Sequence, residues 1–376
     1  MKDFTSNNLA GINKSAIRQI FDSAPKDSIN LALGEILFPE SQFLKSKAKE
    51  IISKYNSVYT TNAGLLESRE SICNYYNNLV EPDGVCITNG AEEAIFATLF
   101  TIINPNDEIL LANPTYLAYD TIIKMVKGKT KYFQLDPNNN FELNRDSFRM
   151  AITSKTKAVI LCNPSNPLSK VFSNDDIKYI LEIAEENEIL VIIDEIYLEL
   201  YLFERSYSLL SKAKNIIVIS SLSKSHCMTG WRIGWAVSAN TDLIDRITVA
   251  HQYISTCASF LSQKIIPFAL SKKGMESVAM NRVLLRERQK CSLEFLLEHF
   301  PSLKYARSTH APYLFLNFGF DDLYLTKKLV SEGVIVVPGS VFGANGKNYI
   351  RLNYATDKKK IGEALIKIVI LSKNIE

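Results

Sequence analysis

Lys157-Ala158-Val159-Ile160-Leu161-Cys162-Asn163-Pro164-Ser165-Asn166-Pro167 is the stretch that decides the fold class. A continuous apolar run stops abruptly at a knot of Asn, Pro and Ser. An alternating run would give a strand with one wet face, whereas a continuous one gives a strand buried on both faces. Other strand candidates, most of them continuous apolar runs too, are Val85–Thr88, Glu108–Ala112, Thr130–Leu135, Ile189–Asp194, Asn215–Ser220 and Ile233–Ser238. Helical patterns at Ala91–Ile103, Tyr116–Val126, Arg145–Thr153 and Asn174–Asn187 lie between several of them. Such alternation predicts an α/β protein: a mostly parallel sheet of about seven strands, sandwiched by helices.

The chain ends follow another pattern. A short helical pattern opens the chain, and the stretch from about Asp242 to Glu298 is largely helical. Short strands follow at Tyr313–Asn317, Val334–Pro338 and Tyr349–Tyr354, separated by Glu/Lys-rich helix. The expected division is a large α/β domain over residues 46–275, with residues 1–45 and 276–376 forming a smaller α+β domain.

Composition excludes several classes. The 376 residues are 47% hydrophobic and 22% charged, enough for a large core, with no low-complexity tract. The net charge of +3 leaves no basic footprint for nucleic acid. Apolar stretches such as Ala94–Ile103 fall well short of a membrane span. Met1–Ser15 has no signal-peptide core, so the cytoplasm is expected. The six cysteines lie at least 13 residues apart, so no CxxC pair exists and neither a metal site nor a redox motif is expected.

The unusual residues cluster behind strand ends. Asn89-Gly90-Ala91-Glu92, Asn113-Pro114-Thr115-Tyr116, Asn163–Pro167, Asp194-Glu195 and Ser221-Leu222-Ser223-Lys224 each follow or end a strand candidate. In open α/β sheets ligands bind at that edge. Gly90-Ala91 opens a helix, whose free N–H groups suit phosphate, and Ser221, Ser223 and Arg232 can add hydroxyls and a guanidinium. Asp194 ends an apolar strand, where a carboxylate needs a partner or caps a loop. Lys224 follows a buried strand, although most lysines are simply solvated. Phosphate site, carboxylate and lysine on one edge together suggest pyridoxal 5′-phosphate (PLP), which needs a Schiff-base lysine and an acidic partner for its pyridine nitrogen.

The stretch from Ser221 to Trp235, with serine three before Lys224 and Arg232 eight after it, resembles the lysine motif of the class I/II aminotransferases, PLP enzymes of fold type I. The resemblance runs from about Leu31 to Arg351. It implies that Lys224 carries PLP as a Schiff base and that Asp194 keeps the pyridine nitrogen protonated. Asn166 and Tyr197 would bind the ring hydroxyl, and Tyr116 would stack on the ring. Gly90, Ala91, Glu92, Ser221, Ser223 and Arg232 would hold the phosphate. Tyr59 would reach the phosphate of a second subunit, implying a homodimer with shared sites. Gly34, Asn166 and Arg351 would bind the substrate carboxylate. The implied activity is transfer of an amino group between an L-amino acid and a 2-oxo acid.

Three departures stand out. The usual Asn-Pro-Thr-Gly is Asn166-Pro167-Leu168-Ser169, Cys227 replaces a glycine of the lysine motif, and Gly34 is followed by Glu35-Ile36-Leu37-Phe38. They leave open another PLP reaction on an amino acid: β-elimination, decarboxylation or oxidation. A PLP-binding transcriptional regulator would need a DNA-binding domain ahead of residue 31. A dinucleotide dehydrogenase would need Gly-x-Gly-x-x-Gly where the chain has Thr88-Asn89-Gly90-Ala91-Glu92-Glu93.

Overall fold

The computed structural model describes residues 6–201, 214–307 and 310–375. Its strands are β1 (Ile29–Asn30), β2 (Val85–Thr88), β3 (Glu108–Asn113), β4 (Lys129–Asp136), β5 (Glu142–Leu143), β6 (Thr156–Cys162) and β7 (Leu190–Asp194). They continue as β8 (Ile216–Ser221), β9 (Gly234–Val237), β10 (Lys304–Tyr305), β11 (Tyr313–Asn317), β12 (Val334–Ile335), β13 (Val337–Pro338) and β14 (Ile350–Asn353). The main sheet has eight strands in the order β2-β9-β8-β7-β6-β3-β4-β5. The expected seven are all present, and the short β5 adds an antiparallel edge.

The continuous apolar runs have a direct structural cause. Ala158, Ile160 and Ile192 join one buried cluster, while Val159, Leu161, Val191 and Ile193 join another. Neighbouring side chains on a strand point to opposite faces, so both faces of the sheet need apolar cover. Helices Ala91–Ile102 and Thr241–Ser255 pack on β2 and, the former, on β9 and β8; Arg145–Ala151 packs on β4 and Asn174–Glu186 on β7. Burying each Val, Ile or Leu side chain is worth about 1.5–3 kcal/mol. Among the described residues no helix is long and apolar enough to cross a membrane.

One strand runs against expectation. β9 is antiparallel to both β8 and β2. A parallel return needs a crossover of a dozen or more residues, usually helical. The link from Ser221 to Gly234 carries only the single turn Thr229–Trp231, so the chain doubles back.

The C-terminal strands form a separate four-stranded sheet, β10-β11-β14-β13. The expected strand Val334–Pro338 is two strands on two sheets: β12 pairs with β1 from the N-terminal segment, and β13 pairs with β14. That parallel β1–β12 pair ties the N-terminal segment to the last third of the chain.

Gly234 shows how tightly the two ends of the lysine loop approach the helix start. A Cβ there would lie 2.6 Å from the Ala91 nitrogen and 2.8 Å from the Ser220 carbonyl oxygen. Backbone cannot swing aside as a side chain can. Gly234→Ala is therefore expected to cost about 1–3 kcal/mol or more. Gly362→Ala, in an open helical position, is expected to gain about 0.5–1 kcal/mol. Urea unfolding of both variants checks the contrast.

Candidate active site

β2, β3, β6, β7 and β8 are mutually parallel, so the clusters behind their C-terminal ends meet on one edge. There they line a cavity of about 400 Å³. Its walls include Gly34, Ala91, Glu92, Tyr116, Asn166 and Asp194. Tyr197, Ser223, Lys224, Arg232 and Arg351 complete the set of expected residues on it.

Asp194 sits at the last position of β7, opposite Cys162 on β6. The residue is 4% exposed. Tyr119 donates to Oδ2 at 2.7 Å and the Ile196 N–H to Oδ1 at 3.1 Å. Burial pushes the Asp194 pKa up, and the Tyr119 hydroxyl opposes that shift. Lys224 extends from the loop after β8 to the other chain end, where Nζ donates to the Gly34 carbonyl at 2.5 Å. Burial, reinforced by the Arg351 charge, brings its pKa down to about 8. Gly34 has no room for a side chain: a Cβ would collide with the Tyr313 hydroxyl.

An anion cup lies beside these two groups. Gly90, with φ +96°, turns the chain into helix Ala91–Ile102, whose first turn has no side-chain cap. Its N–H groups are free for a ligand. A Cβ on Gly90 would come 2.5 Å from Arg232 Nη2 and push the guanidinium from its present place. Arg232 is anchored through the carbonyls of Thr229 at 3.0 Å and Asn89 at 3.3 Å. Ser221 stands just behind, accepting from the Ser223 N–H at 3.1 Å. Glu92 contributes a backbone N–H at this helix start, with its side chain exposed.

Arg351 occupies the middle of the second sheet, opposite Phe315 on β11 and Val337 on β13. It is 1% exposed. Nη1 donates to Asn166 Oδ1 at 2.8 Å and Nη2 to the Ala32 carbonyl. The guanidinium carbon lies 4.3 Å from the centre of the Tyr313 ring and 5.1 Å from that of Phe342. Nε is buried without a hydrogen-bond partner. Among the described residues it has no carboxylate partner, so within them the cavity holds a buried cation with no counter-charge on its guanidinium.

A family model for aminotransferase class I and II matches residues 26–368. The chain belongs to the class I and II aminotransferases. It is 35% identical over 374 residues to a probable aspartate aminotransferase of Methanocaldococcus jannaschii, covering 96% of this chain and 97% of that one. Among solved structures, a Thermus thermophilus aspartate aminotransferase variant superposes with a TM-score of 0.92 at 25% identity, covering 99% and 100% of the two chains. The aromatic aminotransferase from Pyrococcus horikoshii gives 0.87 at 28% identity, covering 96% and 99%. The fold is that of the aspartate aminotransferases, fold type I, and the protein is an aminotransferase.

The structure explains two departures of this aminotransferase from its family pattern. Cys227 has φ +57° and Ser169 has φ +56°. Both lie in the left-handed region where glycine is favoured. The Cys227 sulfur accepts from Asn281 at 3.3 Å, and the Ser169 hydroxyl meets the carbonyls of Ala311, just ahead of β11, and of Tyr313, its first residue. Glu35, in the third departure, accepts from the Thr229 hydroxyl at 2.9 Å. Tyr59 is 85% exposed and does not line the cavity of this chain.

Several site residues carry no expectation from the sequence. Tyr119 holds Asp194, and Tyr313 shares a hydrogen bond of 2.7 Å with Tyr197. Tyr119 lies one helical turn beyond Tyr116, a spacing that could have pointed to it. Ser15, Ile17 and Arg18, around the start of helix Ala16–Ser23, also line the cavity. Nothing local marks them.

The lowered Lys224 pKa gives a direct check. In cofactor-free protein labelled with 13C-lysine, one amine should titrate near 8, not near the usual 10.5. Below that midpoint it is protonated, above it neutral. Arg351→Met removes a neighbouring positive charge and should move the midpoint upward. A Lys224 titration at the ordinary value would show that the amine is not buried in this way.

Proposed function

We propose that this aminotransferase moves the amino group of an L-amino acid to a 2-oxo acid, with PLP held in the cavity on Lys224. The observation that carries the reading is the convergence of three groups on one cavity: a half-buried lysine of lowered pKa, a buried carboxylate, and a buried guanidinium with no carboxylate partner among the described residues.

The residues fit PLP group by group. Gly90, Ala91, Glu92, Ser221, Ser223 and Arg232 would hold the phosphate, through helix N–H groups, hydroxyls and a guanidinium. Asp194 would face the pyridine nitrogen, Asn166 and Tyr197 the ring hydroxyl, and Tyr116 the ring itself. When bound, PLP supplies a conjugated ring that takes up the electron pair left when a substrate Cα–H bond breaks.

The protein's own part follows from the geometry. Arg351 binds the substrate carboxylate, with Gly34 and Asn166 beside it, and so fixes Cα near Lys224. Lys224 Nζ, neutral above about pH 8, takes the Cα proton and returns it. Such a positioned base is worth roughly 10²–10⁴ in rate. Asp194, its charge held by Tyr119 and the Ile196 N–H, stabilises positive charge at the ring nitrogen. Tyr59, exposed in a loop, suits contact with a second copy, so a cytoplasmic homodimer with shared sites belongs to this reading. Relatives and neighbours named for aspartate and for aromatic amino acids support an amino-acid donor without selecting one.

The test is spectroscopic. Amino acids added singly to the purified yellow enzyme should shift the cofactor band to its amine form, and a set of which none does so contradicts the proposal. Lys224→Ala should lose the borohydride-trapped adduct and at least about 10²–10⁴ of turnover. Asp194→Ala should lower kcat at saturating donor while leaving the donor half-saturation nearly unchanged. Trapping on Lys224→Ala equal to wild type would exclude Lys224.

A further inference from the structure

Ser169 is a residue whose backbone and side chain pull in opposite directions. Its φ of +56° would suit glycine. A serine there is tolerable when its hydroxyl offsets the strain, and this hydroxyl is fully buried and meets Ala311 and Tyr313 on one segment. It lies 2.9 Å from the Ala311 carbonyl oxygen and 2.8 Å from that of Tyr313, donating to one or the other. It also accepts from the Tyr313 N–H at 3.3 Å. The Ser169 carbonyl accepts from the His310 N–H at 2.9 Å.

These bonds join two parts of the site that come from different sheets. On one side is the tight turn after β6. Ser165 N–H bonds to the Lys170 carbonyl at 2.7 Å, and Ser169 N–H bonds to the Ser165 carbonyl at 2.9 Å. Asn166 lies inside that turn and accepts from Arg351. On the other side is the first residue of β11, Tyr313, whose ring packs 4.3 Å from the Arg351 guanidinium carbon and whose hydroxyl meets Tyr197. Asn166 and Tyr313 thus grip Arg351 from two sheets, and Ser169 is bonded to the Tyr313 peptide from within the Asn166 turn.

We propose that Ser169 is a positioning residue for the amino-acid carboxylate: its hydroxyl fixes the Asn166 turn against Tyr313 and thereby sets the direction of Arg351. A glycine allows the same turn but has no group with which to hold the second sheet. The inference rests on the reading of Arg351 given above.

The experiment compares holoenzyme of wild type, Ser169→Gly and Ser169→Ala. Ser169→Gly relieves the backbone and keeps the fold accessible even where Ser169→Ala, strained and without its hydroxyl, does not. Three quantities are measured: amino-acid half-saturation in the cofactor-band shift, PLP affinity, and melting temperature. Loss of one hydrogen-bonding hydroxyl is expected to raise the half-saturation of Ser169→Gly about three- to tenfold. PLP affinity and kcat should stay within about twofold of wild type, which is the scatter of a weak, indirect effect. A purely structural role would instead weaken PLP binding and melting together with donor affinity, and that result overturns the proposal. Equal half-saturation for Ser169→Gly and wild type overturns it as well. A wild-type band that responds to no amino acid overturns the Arg351 reading beneath it, a distinct outcome visible in the control.

Discussion

Arg351 is the constraint around which the site is arranged. A guanidinium removed from water and left without a counter-charge is costly, because the lost hydration is repaid only by good hydrogen bonds or an ion partner. The chain supplies part of that repayment through Asn166, the Ala32 carbonyl and the two flanking aromatic rings. Among the described residues it adds no carboxylate. The charge also reaches Lys224, where it adds to burial in lowering the pKa. One cation therefore serves two ends: it leaves an anion-seeking group in the cavity, and it helps free the nearby amine of its proton.

Holding that cation in place requires the whole chain. Ala32 comes from the N-terminal segment, Asn166 from the loop after β6, and Arg351 and Tyr313 from the second sheet. Asn353 donates to the carbonyls of Leu33 at 2.7 Å and Glu35 at 2.6 Å, pinning the segment that carries Gly34. The β1–β12 pair anchors the same segment from its other end. The sheet edge alone would bring together the Gly90 turn, Arg232 and Asp194, and the second sheet and the N-terminal segment close it into a cavity with Arg351 on its wall.

Much of this was legible in the sequence, because it rests on local signals. Apolar runs, mostly continuous, located β2, β3, β6, β7, β8 and β9, the mixed stretch Thr130–Leu135 located β4, and the polar knots behind strand ends located one edge. The lysine motif led to Lys224 and Arg232, and strand-end logic led to Asp194. What stayed hidden depends on long-range contact. The reversed direction of β9 goes with a connection of twelve residues whose lack of an α-helix shows only in three dimensions. The split of Val334–Pro338 between two sheets comes from pairing partners some 300 residues apart in one case. Tyr119 and Tyr313 look like ordinary core aromatics until the residues they touch are known. Ser169 and Cys227 read as simple departures from glycine, and only their backbone angles show that glycine would have been the easier choice.

The account stands on the claim that Arg351 is the receptor for the substrate carboxylate. The most direct measurement is titration of the cofactor band of Arg351→Ala and wild-type enzyme with one amino acid and with the amine formed by its decarboxylation. Charge-assisted hydrogen bonds worth about 1.5–3 kcal/mol each predict at least a tenfold rise in the amino-acid half-saturation. The amine, which offers nothing to the guanidinium, should respond almost equally in both proteins. An unchanged half-saturation for the amino acid in Arg351→Ala would contradict the account and make the buried arginine a part of the packing alone.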